Sequence, residues 1–223
     1  MRLVMLTILL LGCAPAASAG TVLNVGAFDA IELRNGGQIV VRHGPARVTL
    51  IEGDASTVRV TVDNGRLRIE HCRECRRDRR MKLEVVAPML TALSIESGGT
   101  IALADHFPDQ PDLAVAVAHG GRIDARALAA DEVRASVAHG GHILTLPRRR
   151  LDASVSQGGM IVYWGTPAVS PAIAGGGGVV RGRPEEIDGP VPEIGDVVLP
   201  PPHPLQPPRP PVPPLPPKPE AAR

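Results

Sequence analysis

One short pattern of apolar and polar positions recurs six times along the chain. It reads as an apolar residue, two variable residues, Gly-Gly, one variable residue and a second apolar residue. The copies are Leu33-Arg-Asn-Gly-Gly-Gln-Ile39, Ile95-Glu-Ser-Gly-Gly-Thr-Ile101, Val117-Ala-His-Gly-Gly-Arg-Ile123, Val137-Ala-His-Gly-Gly-His-Ile143, Val155-Ser-Gln-Gly-Gly-Met-Ile161 and Ile173-Ala-Gly-Gly-Gly-Gly-Val179. From Gly98 onward the copies follow at steps of 22, 20, 18 and 18 residues. Between corners, apolar and small or polar residues alternate. Leu113, Val115 and Val117 alternate with small residues. Val133, Ala135 and Val137 alternate with Arg134, Ser136 and Ala138, and Leu151, Ala153 and Val155 with Asp152, Ser154 and Ser156. Period 2 sends one set inward and the other to solvent. A repeat near 20 residues with strand-like flanks predicts stacked coils of a β-solenoid over about residues 90–182. Gly-Gly turns each corner, because positive φ costs glycine little. Ile101, Ile123, Ile143, Ile161 and Val179 should then form one internal column. The competing arrangement is an antiparallel sandwich with glycine turns.

Residues 21–91 predict short strands at 27–33, 38–41, 47–51, 58–62, 67–70 and 81–86, with Asp63-Asn64-Gly65 as a hairpin turn. No stretch sustains helical periodicity, so almost no helix is expected. The ends differ from this body. Residues 1–19 read as a secretory signal peptide: Arg2, an apolar run from Leu3 to Leu11, then Ala17-Ser18-Ala19 as the cleavage site. Leu10-Leu11-Gly12-Cys13 competes as a lipobox in which Cys13 is lipidated; only then would the protein be tied to a membrane. Residues 20–183 form the expected domain. Residues 184–199 hold Val191, Ile194 and Val197-Val198-Leu199 as a cap or linker. Residues 200–223 are mostly proline and predict a disordered, extended tail that cannot build a core.

Composition changes this picture in two places. Aromatic residues are 2% of the chain, which suits a narrow interior filled by Val, Ile, Leu and Ala. The formal charge is +1 and includes Arg2 of the leader, which argues against nucleic acid as a partner.

The segments Phe28-Asp-Ala-Ile-Glu-Leu33, Ile39-Val-Val41, Val48-Thr-Leu-Ile-Glu-Gly-Asp54, Asn64-Gly-Arg-Leu-Arg-Ile69 and Leu93-Ser-Ile-Glu-Ser-Gly98, in that order, resemble the head GIN domain of bacterial autotransporter adhesins. The likeness covers roughly residues 25–180. It implies export, a right-handed parallel β-helix and adhesion, and it brings no catalytic residues with it. The family's turns usually read Ser-Gly-Ala/Ser; here only Ser97-Gly98 keeps that form. The expected fold class is therefore all-β, a right-handed parallel β-helix with an N-terminal β region and a proline-rich tail.

Candidate chemistry is sparse. Cys72 and Cys75 are the thiols left once Cys13 is removed or lipidated, and an oxidising compartment favours their disulfide; reduced thiols and a metal or redox role are the alternatives. Arg73, Arg76, Arg77, Arg79, Arg80 and Lys82 form either a solvated loop or an anion patch for acidic polysaccharide or lipid. His119 and His139 precede successive Gly-Gly corners and should stack as a structural ladder; with His142 they are also the candidates for a divalent metal. Trp164, beside Tyr163, is the one candidate for an aromatic contact to a sugar or a partner. There is no nucleophile elbow, Walker loop or HExxH motif. The expectation is a non-catalytic, exported envelope protein (periplasmic, cell-surface or secreted). It would bind an envelope polysaccharide or a cell-surface protein without a cofactor. The alternatives are a structural scaffold or lipoprotein without a ligand and, further off, a polysaccharide-acting enzyme.

Overall fold

In the computed structural model, residues 20–72 and 80–184 are described. Fifteen strands carry the fold: β1 (Thr21–Leu23), β2 (Ala30–Arg34), β3 (Gln38–His43), β4 (Arg47–Glu52), β5 (Val58–Asp63), β6 (Arg66–His71), β7 (Lys82–Ala87), β8 (Ala92–Ser97), β9 (Thr100–Leu103), β10 (Gln110–His119), β11 (Arg122–Ala138), β12 (His142–Ser156), β13 (Met160–Tyr163), β14 (Ala168–Ala174) and β15 (Gly178–Arg181). The described residues contain no α-helix, only a 3-10 turn at Ala55–Thr57 whose Ser56 N–H is capped by the Asp54 carboxylate. All these strands belong to the unit Met1–Gly189; the second unit, Pro190–Arg223, lies outside the described residues, as do the predicted leader 1–19 and most of the predicted cap 184–199.

The right-handed parallel β-helix is not what forms. All fifteen strands join in a single mixed sheet, nearly closed on itself and barrel-like. Three pairings are antiparallel: β1 with β4, β4 with β7, and β5 with β6. Nor do rungs follow one another in chain order. The first Gly-Gly copy, on β2 and β3, is inserted between β6/β7 on one side and β8/β9 on the other. The physical reason lies in residues 44–91. They leave the repeat, return beneath it as β6 and β7, and use β4, β1 and β5 as antiparallel edges. An antiparallel edge needs only a hairpin, whereas another parallel rung needs a full crossover.

Local corner chemistry and the internal column are as read from the repeat. The chain turns at Gly99, Gly121, Gly141, Gly159 and Gly177, and the corner amides bond from one rung to the next. Arg122 N donates to Gly99 O at 3.0 Å, His142 N to Gly121 O at 2.9 Å and Met160 N to Gly141 O at 2.9 Å. Register then places Ile39, Ile101, Ile123, Ile143, Ile161 and Val179 side by side, and the isoleucines are essentially unexposed. Burying each such side chain stabilises the fold by about 1.5–3 kcal/mol before entropy is counted. On the opposite wall the inward row Leu67, Ile31, Leu93, Val115, Ala135, Ala153 shrinks along the sheet, so the interior is filled without aromatic rings. β11 and β12 are long because each runs along one wall, bends through a register shift and continues along the other. They tie the two walls together.

Candidate binding surface

The outward side of β8, β10, β11, β12 and β14 is built from small side chains. One transverse row is Ser94, Ala116, Ser136, Ser154, Ala172; the next is Ala92, Ala114, Arg134, Asp152, Ser170. The alternation that drives Val115, Ala135 and Ala153 inward leaves these residues out, and most are exposed. Five strands at ordinary spacing make a shelf about 20 Å wide. A shallow groove of about 600 Å³ runs over it, lined also by Ala30 and Arg66. With little side chain in the way, a flat partner reaches close to the sheet.

One end of the shelf is charged. Glu32 receives Arg34 Nε at 2.6 Å and Arg68 Nε at 3.5 Å, with Arg66 at 3.8 Å, while Arg34 also reaches Glu96 at 2.9 Å. Burial pushes the Glu32 carboxyl up, but the Arg34 hydrogen bond and the charges of Arg34 and Arg68 together hold it below the usual value. The cage is therefore an ionised carboxylate among guanidiniums. On the shelf itself Arg134 lies 3.5 Å from Asp112, and Arg150 binds Asp152 at 3.0 Å.

His119 and His139 stack as their positions in the repeat predict, with ring centroids 4.9 Å apart and planes 13° from parallel. That separation is the strand spacing itself. His119 Nδ1 lies 3.2 Å from the Glu96 carbonyl, and His139 holds a left-handed φ of 56° at the corner. His142 stands past the corner, in register with Arg122; burial and the Arg122 charge keep its imidazole below the usual value. Among the described residues no three His, Cys, Asp or Glu side chains are grouped to hold a metal.

The other predicted positions scatter. Cys72 is disulfide-bonded; Cys75 and Cys13 lie outside the described residues, as do Arg73, Arg76, Arg77 and Arg79. Arg80 is exposed and 3.6 Å from Glu52, and Lys82 opens β7. Arg148 and Arg149 each pair with an aspartate, Asp109 at 2.6 Å and Asp131 at 2.8 Å. Trp164 is not an exposed contact. It is 4% exposed, with Arg126 5.5 Å above its ring and its Nε1 donating to the Arg183 carbonyl at 2.8 Å. The repeat pattern does not announce the buried charges on this wall: Arg126, which lies over the Trp164 ring, and Arg122 and Asp124, which alternate with it outward on β11 and are likewise buried. Their signal in the sequence is the alternation Arg-Ile-Asp-Ala-Arg, three charges on one face of a strand. Burial lowers the Arg122 pKa, opposed by Asp124 and reinforced by Arg126.

Residues 27–111 and 109–167 each match the profile of the family described as "Putative auto-transporter adhesin, head GIN domain". Among solved structures, a putative adhesin from Bacteroides fragilis is 18% identical with a TM-score of 0.45, over 72% of this chain and 94% of that one. A putative adhesin from Parabacteroides distasonis is 15% identical with a TM-score of 0.33, over 73% and 95%. A putative lipid binding protein from the same species is 14% identical with a TM-score of 0.30, over 73% and 96%. No curated protein matches the chain.

Proposed function

We propose a function on one premise: the chain belongs to the auto-transporter adhesin head GIN domain family. It is an exported, non-catalytic envelope protein that acts as a binding module, and the small-residue shelf is its contact face. The observation that carries this reading is the width of the exposed Ala/Ser surface, which also carries Arg66, Arg134 and Asp152. Flat ligands such as extended polysaccharide, or the surface of another protein, fit such a face better than a small substrate does, because none of the described residues closes over it. Residues 1–19 direct export, Cys72 pairs with Cys75 in the oxidising compartment, and residues 200–223 hold the domain away from its attachment.

Purified protein should bind one class of target on arrays of cells, peptidoglycan and envelope polysaccharides. Ala116→Glu and Ser136→Arg, both on the shelf, should each weaken that binding at least about tenfold, roughly 1.4 kcal/mol, without lowering the melting temperature. Binding that survives both variants would remove the shelf from the reading. Absence of any target would leave a structural scaffold, and cleavage of an array polymer would make the protein an enzyme.

A further inference from the structure

Among the described residues the sheet has free edges at β1 and β5 at one end and at β14 and β15 at the other. A free edge offers its N–H and C=O groups to any strand that comes near, and proteins ordinarily blunt it. β1 is three residues long and β15 four. β14 carries Pro171, which has no N–H to give a further strand. β5 has none of these devices. It runs six residues as Val58-Arg59-Val60-Thr61-Val62-Asp63, with no proline and no inward charge.

The hydrogen-bond phase decides what that edge presents. The Cys72 N–H donates to the Thr57 carbonyl at 2.9 Å. In the same register Arg59 with Glu70, Thr61 with Arg68 and Asp63 with Arg66 are the pairs that exchange bonds. Val58, Val60 and Val62 therefore point their N–H and C=O groups away from β6. Their side chains face the core but stay partly exposed, because no described strand follows. Arg59, Thr61 and Asp63 stand exposed on the outer face, and neither Arg59 nor Asp63 is in an ion pair among the described residues.

We propose that β5 pairs antiparallel with β5 of a second copy of this chain, about a twofold axis at Thr61. The strand is self-complementary in that register. Val60 exchanges bonds with the second copy's Val62, Thr61 faces Thr61, and Arg59 faces the second copy's Asp63 on both sides of the axis. Across the seam the outer face reads Arg66, Asp63, the second copy's Arg59 and the second copy's Glu70, with alternating sign. Opposed charges and a Thr pair are what favour a cross-strand register. Sliding one copy by two residues sets Arg59 against Thr61, or leaves only residues 61–63 overlapping. A twofold axis perpendicular to the sheet keeps both outer faces on the same side. β5 ends the wall that carries the small-residue shelf, so the dimer sets two shelves side by side and can grip a repeating target with both. That consequence rests on the shelf being the contact face; the pairing does not.

Sedimentation velocity of the full chain over a concentration series should show a monomer–dimer equilibrium. Val60→Pro removes an N–H that β6 does not use and should weaken the dimer at least about tenfold, with the monomer still folded by circular dichroism. Arg59→Asp alone brings two carboxylates face to face, and Asp63→Arg alone two guanidiniums, so each variant should be monomeric. Mixed, the two should dimerise, because every charge across the seam then meets its opposite. Ala116→Glu, on the shelf, should leave the dimer intact. A parent that stays monomeric up to millimolar concentration would overturn the proposal. So would a dimer indifferent to Val60→Pro, a mixture of the charge variants no more associated than either alone, or a dimer lost in Ala116→Glu, which would move the interface to the shelf.

Discussion

The two glycines of one corner should respond very differently to the same substitution. Gly158 has φ of 87° and open space around the position a Cβ would take. Gly158→Ala therefore meets only the backbone penalty of a left-handed L-residue, about 1–2 kcal/mol. Gly159 has φ of 104°, and its Cβ would stand 2.9 Å from the Gly141 carbonyl oxygen of the neighbouring rung and 2.5 Å from Val137 Cγ1. That carbonyl accepts the Met160 amide at 2.9 Å and cannot swing away without breaking the corner ladder. To a backbone penalty of about 1–3 kcal/mol is added an overpacking cost of about 1–3 kcal/mol. Urea unfolding of both variants should rank Gly159→Ala as the more destabilising by at least about 1 kcal/mol, a melting difference of about 2–4 °C per kcal/mol for a domain of this size. Equal losses, or a larger loss at Gly158, would refute the stacked-corner account.

Ile143→Ala, in the middle of the internal column, should cost about 2–5 kcal/mol, and denaturant midpoints check it. Reduction of the Cys72 disulfide should lower the melting temperature only modestly, about 2 kcal/mol or less if Cys75 closes so short a loop; mass spectrometry of alkylated protein before and after reduction identifies the partner. Zinc or nickel should leave the melting temperature unchanged, and a metal-dependent rise abolished by His119→Ala would make the stacked histidines a metal site. Glu32 titrates below its ordinary 4.5 in the folded state, so its contribution is complete above that pH and is lost as pH falls through the lower folded value. Glu32→Gln should accordingly destabilise the domain at pH 7 and flatten the acid limb of its stability profile.

Much of the local structure is legible in the sequence, because it depends on near neighbours. The alternation around Val115, Ala135 and Ala153 decides which side chains enter the core. The repeated Gly-Gly decides where the chain turns, and Asn64-Gly65, both at positive φ, decides the β5–β6 hairpin. The spacing of the copies is enough to place Ile101, Ile123, Ile143 and Ile161 in one column and His119 over His139. The resemblance of residues 28–98 to the head GIN family is likewise readable from short motifs.

Tertiary structure alone decides the order of the rungs and the character of the outer surfaces. A repeat says that coils of equal length can stack, but not that β2/β3 will be inserted between β6/β7 and β8/β9, since register is satisfied equally well in either order. Antiparallel edges at β4, β1 and β5 follow from that insertion, and with them the mixed, nearly closed sheet. The same limit applies to the faces. Period 2 marks Ser136 and Arg122 alike as outward residues of one strand, yet the bend in β11 sends them to opposite walls. Ser136 stays in solvent, on the shelf, while Arg122 is buried. Which outward face is covered depends on contacts between segments far apart in the chain, and no local pattern encodes those.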